Sequence, residues 1–184
     1  MSHSGGLWYI CRESIIGPDK KCKIMMDLLG WAIAACLVIL SVGIHYETIR
    51  FVSDVLVPWA FRRFHSRRIM MALVTTLLLG HIAEIWLFAL AMGCMSFYPP
   101  LGHLTGDIEN EPGVAAFLYF SATNYTSLGY GDVAPRGPLR NIAVSEALAG
   151  LLMIAWSASF IYIKMEQVWS WRRRTRHRRK SDPQ

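Results

Sequence analysis

Apolar residues gather along this chain in three stretches long enough to cross a bilayer. Leu28–Ile44 carries no charge over 17 residues, about 26 Å of helix at roughly 1.5 Å per residue. Ile69–Phe97 holds one carboxylate, Glu84, in 29 residues, and Leu139–Ile163 has Arg140 at its edge and Glu146 inside. Each can cover a hydrocarbon core of about 30 Å, the longer ones with tilt. A fourth apolar stretch, Val114–Tyr125, has only 12 residues. It is too short to span and reads as a core helix or a re-entrant segment.

Composition agrees with this pattern. Of 184 residues, 53% are apolar and 17% charged, against about 45–50% and 25% in soluble domains. Lipid-facing surface needs no charge. The first span follows a polar segment with Asp19 and Asp27, and no small-residue cleavage site comes after it, so it does not read as a signal peptide.

Basic residues set the orientation. With three spans, segment 46–68 (Arg50, Arg62, Arg63, Arg67, Arg68) and the tail from Lys164 share one side, with thirteen Lys and Arg against six on the other. The expectation is a multi-pass cell-membrane protein with an external N-terminus and a cytoplasmic C-terminus. The regions are then an external segment 1–27, a first span 28–45, a cytoplasmic linker 46–68, a pore module 69–164 and a basic tail 165–184. Tyr46–Ala60 reads as an interfacial linker helix or as an extension of the first span.

The external segment contains Asn124-Tyr-Thr-Ser-Leu-Gly-Tyr-Gly-Asp-Val-Ala-Pro135. Non-helical backbone at membrane depth must be buried in protein or line a cavity. Gly129 and Gly131 alternate with Leu128 and Tyr130, and glycine accepts positive φ. Alternating handedness turns successive carbonyls to one side, which makes a ladder of oxygens able to replace water around a cation. One chain supplies one oxygen per layer, so several copies must surround an axis, and a closed ring of identical subunits does this. The C-terminus of the short helix, near Tyr125, would add a partial negative charge of about −0.5.

The run Thr126-Ser127-Leu128-Gly129-Tyr130-Gly131-Asp132 resembles the T-x-V-G-Y-G-D selectivity filter of tetrameric potassium channels. The order span, short helix, filter, span over about residues 69–164 is also similar to that family's pore module. The resemblance implies an all-α membrane protein with three transmembrane helices, a re-entrant pore helix and a filter loop, assembled as a homotetramer. It implies K+ sites on the carbonyls of Ser127, Leu128, Gly129 and Tyr130, with the Ser127 hydroxyl as innermost ligand and K+ as permeant ion, without a cofactor. Family members usually carry Thr at the Ser127 position and Val or Ile at the Leu128 position. Where they often have a Trp pair in the pore helix, this chain has Tyr119 and Phe120, and Tyr119 is expected to support Asp132 behind the filter. Gly150 stands where family members often bend the inner helix as a gate, and close helix packing is the other reading.

Further residues invite functional readings. His81 and Glu84 lie three apart on one face of the second span. They read as a proton-sensing pair or as hydrogen-bonding groups that join a neighbouring span through Ser or Thr. With two ligands in view, a metal site is the weaker reading. Glu146 pairs with Arg140 or faces the pore-helix layer. Ser157 and Ser159 are small enough to line a cavity. Asp107, Glu109 and Glu111 make the external loop acidic, either to concentrate cations or as solvated charge. The run Arg172–Lys180 behind Trp169 and Trp171 suits anionic lipid headgroups or a topology anchor, and not nucleic acid, since it abuts the bilayer. Cys11 and Cys22 are a candidate disulfide, while Cys36 and Cys94 read as packing residues.

Three functions fit: a potassium-selective channel subunit, a non-selective cation channel, and an accessory channel subunit that does not conduct alone. No nucleophile–base pair supports an enzyme. No helix carries Arg at every third position, so no ordinary voltage sensor is encoded.

Overall fold

The computed structural model describes residues 20–59, 66–106 and 113–181. Helix α1 covers Lys20–Phe51 and continues through a π-helical stretch, Val52–Leu56, to Trp59. Helix α2 covers Ser66–Ser96, the short α3 covers Val114–Tyr125, and α4 covers Leu139–Ser181. Among the described residues, three helical stretches are long and apolar enough to cross a membrane: Lys20–Trp59, Arg67–Ser96 and Leu139–Trp169. The chain is an all-α membrane protein, and the short α3 occupies the stretch set apart in the sequence as too short to span.

The first span is longer than its uncharged stretch. Tyr46–Trp59 extends α1, because its charges fit one helix face. Arg50 lies 3.4 Å from Glu47 and 3.9 Å from Asp54, at spacings where helical side chains meet. Val57 N–H reaches back to Val52 C=O, the wider turn that defines a π-bulge.

The described residues fall into two compact units, to which each long helix contributes. One holds residues up to Leu40 together with Ile85–Gly150, and the other holds Ser41–Glu84 with Leu151 onward. The first unit centres on Ala34 and Leu37 of α1, Phe88, Met92 and Met95 of α2, Phe120 of α3, and Leu139, Ile142 and Ala143 of α4. In lipid, helices gain little from the hydrophobic effect, so shape-fitted contact and small residues must hold them. Ala34 and Ala143 provide that close approach. The second unit packs Val52 against Leu73 and Leu77, with Phe160 and Ile161 beside them.

A two-stranded ribbon lies within the first unit: β1, Leu104–Gly106, pairs antiparallel with β2, Val133–Pro135. Three-residue strands are too short to show alternation, so no sequence pattern marks them. Gly106 is required there. Its φ is +127°, and a Cβ would stand 1.9 Å from the Asp132 carbonyl oxygen. Thr105 Oγ1 donates to Ala134 C=O at 3.1 Å, and Arg136 N–H donates to His103 C=O at 2.8 Å. The ribbon thereby fixes the chain where it leaves Asp132.

Asp107, Glu109 and Glu111 lie outside the described residues, as does Cys11 of the Cys11–Cys22 pairing, and the side chains of Arg172–Lys180 are likewise not described. Cys36 and Cys94 are free thiols.

Candidate functional site: a short helix, the loop after it and a buried polar cluster

The loop Thr126–Asp132 starts from the way α3 ends. Leu128 N–H donates to Thr123 C=O at 2.9 Å, and Ser127 N–H donates to Asn124 C=O at 2.9 Å. This pair of bonds, with a left-handed residue between them, is the Schellman helix ending. The left-handed residue is Ser127, at φ +58°. Glycine usually takes that place, because an L side chain in this conformation costs about 1–2 kcal/mol.

Past Ser127 the sign of φ alternates. Ser127, Gly129 (+49°) and Gly131 (+83°) have positive φ, while Leu128, Tyr130 and Asp132 do not. A Cβ at Gly129 or Gly131 would meet nothing within 4 Å, so conformation alone selects glycine there. This is the alternation that brings successive carbonyls to one side. The pattern begins at a serine, which the spacing of glycines could not reveal. The Leu128 and Tyr130 side chains are 61% and 68% exposed in the single chain.

Side chains brace this loop at both ends. Thr126 Oγ1 donates to Ala122 C=O at 2.8 Å. At the far end, Tyr119 O–H donates to Asp132 Oδ2 at 2.7 Å, and Asp132 Oδ1 accepts from Val133 N–H at 3.1 Å. The hydrogen bond to Asp132, chiefly, raises the Tyr119 hydroxyl above its ordinary value of 10.0. The phenol therefore remains a donor through the neutral range.

Behind the loop, Glu146 is fully buried and turned toward α3. It lies against Ser121 Oγ and accepts from Asn124 Nδ2 at 2.8 Å, and the same amide donates to Ala143 C=O at 2.8 Å. Ser121 Oγ also lies 2.9 Å from the Ile85 carbonyl. Of the two settings read for Glu146, the structure shows the pore-helix one; Arg140 donates instead to Pro135 C=O at 3.1 Å. Gly150 lies under the end of α3, where a Cβ would stand 2.1 Å from the Tyr125 carbonyl oxygen. Helix α4 runs unbroken through Gly150.

The second unit holds its own buried polar group. His81 and Glu84 come together, and they are joined by His45 of α1 and Ser157 of α4. His45 Nδ1 lies 2.9 Å from Glu84 Oε1, and His81 Nδ1 lies 3.9 Å from Glu84 Oε2. Ser157 Oγ is 3.0 Å from His81 Nε2 and 3.3 Å from His45 Nε2. The bond through Ser, one of the two readings from sequence, is present. His45 was missed, because its partner lies 39 residues away and no local pattern joins them. Ser159 is exposed and donates to Ala155 C=O of its own helix.

Known proteins resemble part of this chain. A family model described as an ion channel matches residues 81–167. The inward rectifier potassium channel Kirbac3.1 of Paramagnetospirillum magnetotacticum is 38% identical over 63 residues, covering 32% of this chain and 21% of that protein. The voltage-gated potassium channel regulatory subunit KCNG2 of Homo sapiens is 32% identical over 73 residues, or 37% of this chain and 16% of that protein. The chain thus spans about a fifth or less of the length of these curated relatives. No solved structure matches significantly. The segment that holds the short helix, the loop of alternating φ and the following span is similar to ion channels over residues 81–167.

Proposed function

We propose that four copies of this chain form a potassium-selective channel, with Thr126–Asp132 as its filter. The observation that carries this reading is the alternation of φ at Ser127, Gly129 and Gly131 directly after α3. K+ would pass between the carbonyls of Ser127, Leu128, Gly129 and Tyr130 of each copy, dehydrated by oxygens that replace its water. The exposed Leu128 and Tyr130 side chains support a multimer, since neighbouring copies would cover them. Tyr119 and the Ser121–Asn124–Glu146 group would hold the loop at the width that K+ needs. The N-terminus would lie outside and the basic tail inside, against anionic lipid, as the distribution of Lys and Arg directs. Transport through such a pore is passive, so the protein would act without a cofactor and not as an enzyme.

Flux from purified protein in liposomes tests this. A reversal potential that follows the K+ gradient and ignores Na+ supports it; one that follows both ions equally supports a non-selective pore. One comparison favours a further reading, because the KCNG2 relatives are described as regulatory subunits. A folded homomer that carries no ions, and conducts only beside another channel chain, would establish an accessory role.

A further inference from the structure

The second unit contains three titratable groups, His45, His81 and Glu84, that lie outside the loop Thr126–Asp132. His45 and Glu84 are fully buried, and the His81 side chain is 14% exposed. One ligand atom from each lies within 4.8 Å of the other two. Glu84 is a carboxylate in the middle of a span, where an ionised group is costly unless a cation balances it.

The arrangement of atoms says which kind of cation. Both imidazoles turn Nδ1 toward the Glu84 carboxylate, at 2.9 and 3.9 Å, and Nε2 toward Ser157 Oγ, at 3.3 and 3.0 Å. A metal-binding histidine ligates through one ring nitrogen and donates its other N–H to a fixed acceptor. Ser157 Oγ has two lone pairs, enough to accept one N–H from each ring. In that tautomer each Nδ1 keeps a lone pair on the side of the carboxylate. Tetrahedral ligands about 2.0–2.1 Å from zinc lie roughly 3.3 Å apart; the N–O separations, 2.9 Å to Oε1 and 3.9 Å to Oε2, lie on either side of that value, and the three groups offer ligand atoms within 4.8 Å of one another. Two imidazoles and one carboxylate suit first-row transition metals, whereas K+, Mg2+ and Ca2+ prefer all-oxygen shells. The permeant ion is therefore not the ligand here.

We propose that His45, His81 and Glu84 form a binding site for a divalent transition-metal ion of the zinc class, with Ser157 holding both imidazoles in register. The ion ties α1, α2 and α4 together through side chains.

The test uses full-length protein, stripped with chelator and titrated with Zn2+. One zinc should bind per chain, and His45→Gln and Glu84→Gln should each weaken it by more than the roughly 10–100-fold that loss of an outer-shell partner costs. His177→Gln, in the tail, should change nothing. Absence of zinc binding, or binding equal in wild type and in both variants, overturns the proposal. X-ray absorption of zinc-loaded wild type decides the matter even where a variant does not fold. Two imidazoles per zinc support the site, and a shell without imidazole overturns it.

Discussion

Replacing Gly150 with alanine puts a methyl carbon 2.1 Å from the Tyr125 carbonyl oxygen and 2.9 Å from its carbon. A carbon and an oxygen in contact lie about 3.3 Å apart, so α3 and α4 must separate by roughly 1.2 Å along that line. Neither atom belongs to a flexible side chain. Tyr125 is the last residue of α3 and is 1% exposed, which leaves it no room to swing away. Overpacking of this kind costs about 1–3 kcal/mol. Alanine recovers about 1 kcal/mol of helix propensity over glycine, so the net loss is about 0–2 kcal/mol. The displacement also passes directly to Thr126 and Ser127. Thermal unfolding and K+ flux, measured on the same preparation of Gly150→Ala, should both fall. If Gly150 serves instead as a bending point, the variant keeps or gains stability and changes only the open fraction. Wild-type stability together with wild-type flux would refute the packing argument.

Tyr119→Phe removes the donor to Asp132 and should shorten single-channel openings or admit Na+; unchanged lifetimes and selectivity would dismiss the brace. Because the Tyr119 hydroxyl is raised above 10.0, the brace is intact below pH 10 and lost as pH climbs through the raised value, so phenolate absorbance assigned by difference to Tyr119 should appear only above pH 10. Glu146→Ala takes one acceptor from half-buried Asn124 and one partner from buried Ser121, at about 1–3 kcal/mol for a donor left unsatisfied; Glu146→Gln can donate to Ser121 and accept from Asn124, so unfolding of the Gln variant should stay close to wild type. Gly131→Ala forces an L side chain to φ +83° at about 1–2 kcal/mol per chain, and liposome flux should drop without any steric clash to relieve.

Much of the fold could be read from the sequence because it rests on local pattern. The uncharged runs mark the spans, and Val114–Tyr125 emerges with the bounds the structure gives it. The extent of α1 was harder to read. Charges at Glu47, Arg50 and Asp54 look like the start of a linker until their i,i+3 and i,i+4 spacing is seen to pair them on one helix. The ribbon was hidden by its brevity. The filter loop was visible through Gly129 and Gly131, yet Ser127 was not, because nothing in a serine announces positive φ. Contacts between distant segments stayed hidden for a common reason. His45 with Glu84, Glu146 with Ser121 and Asn124, and Gly150 under Tyr125 are each set by tertiary packing, which period and composition do not encode. What the sequence did show was cost. A carboxylate inside a span, as at Glu84 and Glu146, must have partners, and in the structure both do.

The central claim is that the loop Thr126–Asp132 conducts K+ and excludes Na+. The direct test is the reversal potential of purified full-length protein in liposomes with opposed K+ and Na+ gradients. The account predicts a reversal potential near the K+ equilibrium value that collapses toward zero in Gly131→Ala. A folded wild-type homomer whose potential sits midway between the two ions, or which passes no current at all, would contradict it.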